Sequence, residues 1–75
     1  MSFSTRERKN IEIGQIRVWT DSYGNKHYFI VISFFAMQYG FKYDIRWLNH
    51  NPFGNPHKSI EKKHGAWIER YTEIA

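Results

Sequence analysis

Residues 28–35 read YFIVISFF, an unbroken apolar run in a chain of 75 residues. A segment this short, rich in β-branched and aromatic side chains and bounded by turn-forming residues, reads as a β-strand. Its continuous apolar character predicts a central strand with both faces at least partly covered. Upstream, Gly14-Gln15-Ile16-Arg17-Val18-Trp19-Thr20 alternates apolar and polar positions and reads as a partner strand. Between the two lies Asp21-Ser22-Tyr23-Gly24-Asn25, where Gly and Asn tolerate the positive φ of a tight hairpin turn. A hairpin therefore opens the fold.

Downstream, Ala36 to Gly40 turns the chain, with Gly40 as the pivot. Phe41-Lys42-Tyr43-Asp44-Ile45-Arg46-Trp47-Leu48 then alternates with period two. Phe41, Tyr43, Ile45 and Trp47 share one face, and Lys42, Asp44 and Arg46 the other, as in a half-buried antiparallel strand. Residues 49–58 (NHNPFGNPHK) form a loop, because Pro52 and Pro56 forbid a central strand. Ser59 to Lys63 predicts a short fourth strand around Ile60. Gly65 to Tyr71 predicts a helical or 3₁₀ turn with Trp67 and Tyr71 on one face. Thr72-Glu73-Ile74 is then placed to close the sheet.

These elements make one all-β domain over residues 11–75, four to five antiparallel strands with one short helical turn, arranged as a small SH3-like barrel. Residues 1–10 (MSFSTRERKN) lack periodicity and are read as a flexible arm. The chain has no cysteine, which excludes a disulfide framework and thiolate metal sites. Aromatic residues make up 19%, Trp19, Trp47 and Trp67 among them, and give so short a chain the area its core needs. No apolar run is long enough to span a bilayer, and the polar N-terminus is unlike a secretory signal, so the expected compartment is the cytoplasm. The net charge of +4 permits a nucleic-acid or acidic-protein partner and requires neither.

Catalytic and cofactor signatures are missing from the pattern. His50, His57 and His64 lack the tight spacing of a metal-ligand pair and are read as solvated. Ser33 has no nucleophile elbow around it, and Asp44, Glu61 and Glu69 read as separate surface acids. No phosphate-binding glycine motif occurs. The expectation is a protein that is not an enzyme and carries no cofactor or metal.

What remains is a set of basic residues interleaved with aromatics. Arg17 with Trp19, His27 with Phe29, and Lys42 with Arg46 are placed on the outer faces of neighbouring strands. There rings would stack on bases and cations would neutralise phosphates. The competing reading puts Trp19 and Phe29 into the packing of the barrel. In the loop, Phe53 stands between two prolines. It is either an exposed anchor for a protein partner or a ring folded back onto the domain.

The run from Gly14-Gln15-Ile16-Arg17-Val18-Trp19 through Tyr28-Phe29-Ile30-Val31-Ile32-Ser33 to Ala66-Trp67-Ile68-Glu69-Arg70-Tyr71 resembles small SH3-like proteins of bacteriophages and prophages. The resemblance implies a non-catalytic binding module that engages and modulates a host protein, in the host cytoplasm. Nucleic-acid binding through the basic and aromatic sheet face is the alternative. Gly14 to Trp19 and Ile30 to Ser33 are also similar to the opening strands of PemK-type toxin ribonucleases, a third reading. That family's Arg-Pro before the second strand is replaced here by Lys26-His27-Tyr28-Phe29. An exposed edge strand leaves both a monomer and an edge-paired homodimer open.

Overall fold

The structure, a computed structural model, describes residues 11–38, 40–49, 51–53 and 58–75. The N-terminal arm, His50 and His57 fall outside the described residues. Strand β1 (Ile16–Thr20), β2 (Lys26–Met37), β3 (Gly40–Trp47) and β4 (Ile60–His64) run as an antiparallel meander. Helix α1 (Gly65–Tyr71) follows β4 directly and leads into β5 (Thr72–Ile74), which pairs antiparallel with β1. The strand order is β4-β3-β2-β1-β5, so β4 and β5 are the edges of one open sheet. Among the described residues the protein is thus mostly sheet with a single short helix, and no strand pairing there closes the expected barrel.

The turn chemistry anticipated from Asp21 to Asn25 is realised through one side chain. Asp21 Oδ1 accepts the backbone N–H groups of Tyr23 and Asn25, each at 2.9 Å, while Gly24 takes φ of 86°. The β2–β3 hairpin closes with Met37 opposite Gly40, whose φ of 121° only glycine adopts without strain.

Strand β2 is longer than its apolar run, and its pairing with β3 slips between Val31 and Ser33. Val31 pairs with Ile45 and Ser33 with Asp44, which leaves Ile32 as an extra residue. A bulge of this kind reverses which side chains face inward. Before it Phe29 and Val31 point into the core; after it Phe34 meets Tyr43 and Phe41 on that face. This explains why the stretch reads as continuously apolar. On the outer side the cover is only partial, with Tyr28, Ile32 and Phe35 each a little over one-third exposed.

The core is built from Ile11, Phe29, Val31, Tyr43, Ile45, Trp47 and Ile68, with Phe41 and Trp67 packed against it. Helix α1 lies on β3 because Gly65 has no side chain. A Cβ there would sit 3.1 Å from Tyr43 Cε1. Its Ile68 is fully buried, and the helix ends where Thr72 turns extended and donates its N–H back to the Ile68 carbonyl. Among the described residues, no helix is long and apolar enough to cross a membrane.

Candidate functional site

The register Arg17↔Phe29 and Trp19↔His27 puts Arg17 and Trp19 of β1 on the same face as the core residue Phe29. Ile16 and Val18 therefore face outward, the reverse of what their apolar character suggests. Arg17 is only 4% exposed. Its Nε donates to Thr72 Oγ1 at 2.8 Å, Nη1 to Gln15 Oε1 at 2.9 Å and Nη2 to the Thr72 carbonyl at 3.2 Å. Nη2 also lies 3.5 Å from the Ile68 carbonyl, at the C-terminal end of α1 where a cation complements the helix dipole. Burial pulls the guanidinium below its usual pKa, opposed by the charge of Glu69. The expectation that Arg17 neutralises phosphate from an outer face is corrected: it ties β1, α1 and β5 together from within.

Trp19, one step further along the same face, enters an aromatic cluster drawn from four elements. Its ring lies 4.7 Å from Phe53, 5.2 Å from His27 and 6.2 Å from Trp67. Phe53 also approaches Trp47 at 5.8 Å and Trp67 at 6.0 Å, so the loop ring folds back onto the domain while keeping 40% exposure. Trp67 and Tyr71 share a helix face, with ring centroids 6.3 Å apart. Beneath them Phe29 meets Trp47 edge-on at 5.2 Å. The Lys63 ammonium caps the cluster, 3.9 Å from the Phe53 centroid and 4.6 Å from that of Trp67. Glu61 steadies it, accepting Trp47 Nε1–H at 3.0 Å and lying 3.8 Å from Lys63 Nζ.

Asn51 is the residue that fixes this loop, and the sequence pattern did not single it out. It is 3% exposed, donates Nδ2 to the Lys58 carbonyl at 2.9 Å and accepts the Phe53 N–H on Oδ1 at 2.7 Å. An Asn followed by Pro and two residues before the aromatic is the turn signal that would have found it.

Beside Trp19 the two loops leave an open cleft of about 570 Å³. It is lined by Trp19 from β1, Asp21, Ser22 and Tyr23 from the hairpin turn, His27 from β2, and Asn51 with Pro52 from the β3–β4 loop. Asp21 Oδ2 lies 2.9 Å from His27 Nε2. The hydrogen bond from His27 holds the Asp21 carboxyl below its usual range, helped by the Tyr23 and Asn25 N–H groups and opposed by desolvation. An ionised carboxylate only accepts, so His27 Nε2 carries the proton of this bond. None of these lining residues is Lys or Arg.

The remaining sites sit elsewhere. Lys42 and Arg46 project from the outer face of β3, opposite the aromatic cluster, with Asp44 between them. Asp44 accepts from Lys62 Nζ at 3.0 Å and from Ser33 Oγ at 3.0 Å. The Lys62 bond, with Ser33, lowers the Asp44 pKa against the opposing cost of desolvation. Lys62 Nζ also stands 4.3 Å from the Phe35 ring centroid. Thus Trp19, His27 and Phe53 are brought together, Lys42 and Arg46 form a separate surface, and Arg17 belongs to neither. Among the described residues, no three His, Cys, Asp or Glu side chains cluster as a metal site requires. No family model, no curated protein and no solved structure matches this chain.

Proposed function

We propose that this protein is a non-catalytic binding module of phage type that engages a segment of a host protein in the Trp19–His27–Tyr23 cleft. The observation that carries the reading is the cleft itself. A ring-lined depression between two loops is held open by Asp21 and Asn51, next to an aromatic cluster already packed and capped by Lys63. Such a surface has its ordering cost met before a partner arrives, and rigid aromatic anchors dominate protein interfaces. The strand order, with the helix between β4 and β5, supports membership among SH3-like barrels. The His27–Asp21 pair is accounted for by the hairpin it braces. Among the described residues lining the cleft there is no Lys or Arg to stabilise a phosphorane, so ribonuclease chemistry has little support there.

One observation favours nucleic acid as the second reading. Lys42, Arg46 and Lys62 share the outer face with the exposed rings of Tyr28 and Phe35. A displayed random-peptide library separates the two. On the first reading it yields a peptide family whose affinity drops at least roughly tenfold with Tyr23→Ala and is unmoved by Lys42→Ala with Arg46→Ala. On the second, fluorescence anisotropy of a labelled oligonucleotide reports saturable, salt-sensitive nucleic-acid binding that the Lys42/Arg46 pair of substitutions weakens for every sequence alike. Peptide binding indifferent to Tyr23→Ala would overturn the cleft assignment.

A further inference from the structure

We infer that the partner segment places a lysine or arginine side chain in the cleft, its cation set between the Asp21 carboxylate and the rings of Trp19 and Tyr23. This rests on the reading of the cleft given above and names the chemistry it selects. The charge there is one-sided. Asp21 is the one carboxylate among the described lining residues, and none of them is Lys or Arg. The bonds it accepts from the Tyr23 and Asn25 N–H groups and from His27 fix it in place and keep it ionised. Asp44 and Glu61 each have a lysine beside them, whereas among the described residues the ion-pair partner of Asp21 is His27.

The chain twice answers the same combination of ring and carboxylate with an ammonium of its own. Lys63 stands over Phe53 and Trp67, with Glu61 3.8 Å from its Nζ. Lys62 stands over Phe35, with Asp44 3.0 Å from its Nζ. In each case the ring face and the anion draw on one cation, and the two attractions reinforce each other. Trp19, Tyr23 and Asp21 make a third such set, and its cation comes from the partner. Tyr23 is 89% exposed, and its N–H is tied to Asp21 Oδ1, so its ring is offered beside the carboxylate. The aliphatic stem of a lysine or arginine can lie along Trp19 and Pro52 while the charged head reaches Asp21. Lys42, Arg46 and Lys62 project from the opposite face of the sheet. An acidic segment would instead set its carboxylates against Asp21.

The displayed random-peptide library tests this on the full chain. Peptides whose binding falls with Tyr23→Ala should share a lysine or arginine at one position. Replacing that residue in a synthetic peptide by a neutral one of similar shape, citrulline for arginine or norleucine for lysine, should weaken binding to the native chain roughly tenfold. Asp21→Asn keeps a carbonyl for the Tyr23 and Asn25 N–H groups but carries no charge. Against that variant the same replacement should change affinity by less than about twofold. The first comparison alters only the peptide, so it stands even where Asp21→Asn fails to fold. Tyr23-dependent peptides with no shared cation would overturn the inference and leave the cleft reading intact. A cation whose replacement costs as much against Asp21→Asn as against the native chain would do the same. A library with no Tyr23-dependent peptide would remove the cleft reading, and this inference with it.

Discussion

At the junction of β1, β5 and α1 a charged side chain is buried and bonded; at the far end of the β2–β3 hairpin, apolar side chains stand in solvent. The two regions invert the usual arrangement in opposite senses. Arg17 lies inside because Thr72, Gln15 and the end of α1 together supply its acceptors. Phe34, Phe35 and Met37 lie outside because β1 begins only at Ile16, opposite Ile30, and nothing described continues the sheet beside them. Buried polar groups are tolerated when satisfied, whereas a contiguous exposed apolar segment marks a surface that meets something. The first region is a finished interior and the second an unfinished one.

If the contrast is right, truncations should weigh very differently in the two regions. The largest effect is expected at Ile68, fully buried where α1 meets the sheet. Ile68→Ala should cost about 3 kcal/mol, through lost burial and the cavity left behind. Met37→Ala should cost no more than about 0.5 kcal/mol, because the hairpin end it stands on is exposed. Denaturant midpoints of the two variants check both, and comparable losses would erase the distinction.

Arg17 sharpens the comparison from the polar side. Arg17→Met keeps much of the stem but removes the guanidinium's bonds to Thr72 Oγ1, the Thr72 carbonyl and Gln15 Oε1, so a loss of about 2 kcal/mol is expected. Arg17→Lys should recover only part of it, because one ammonium cannot reach acceptors held by three different guanidinium nitrogens. The loss should appear in stability with the amides of β5 exchanging faster, and peptide binding at 25 °C should be unchanged so long as the variant stays folded. A stable Arg17→Met protein would mean that the junction is held by β1–β5 pairing alone.

Why the sequence was legible at one place and not at the other is itself physical. The strands, the Asp21–Asn25 turn, the Gly40 pivot and the Trp67/Tyr71 face all depend on local chemistry, and all are found near their expected positions. The facing of β1 depends on its register with β2, a long-range fact. With Ile16 and Val18 on one side and Trp19 on the other, either phase looked apolar. The Ile32 bulge was hidden for the same reason, since an apolar residue on each side of the slip leaves no break in the pattern. Half of the candidate site followed the same rule. Phe53 and Trp19 were visible as aromatics on a loop and a strand, but their convergence, and the brace from Asn51, required the fold.

The smallest expected effect compares two carboxylates, one in each region. Asp21 fastens the turn that leads from β1 into β2, and Asp44 lies on β3 in the protruding hairpin. Both have folded pKa values below the ordinary 3.8, Asp21 chiefly through its bond from His27 and Asp44 chiefly through Lys62. The folded chain therefore binds fewer protons than the unfolded one in this range, and stability rises with pH across it. Each contribution is complete above the ordinary carboxylate value and is lost as pH falls through the depressed folded value. Midpoints measured between about pH 5 and about pH 2 should decline, and Asp21→Asn with Asp44→Asn should flatten that part of the slope. Amide exchange on acidification separates the two. Asp21 should loosen Tyr23 and Asn25, whose N–H groups it holds directly, whereas Asp44 bonds only side chains and should leave the β2–β3 backbone ladder protected. Equal loosening of both would mean that side-chain bonds on the outer face hold the hairpin as firmly as backbone pairing, and the inner face would lose its claim to be the finished one.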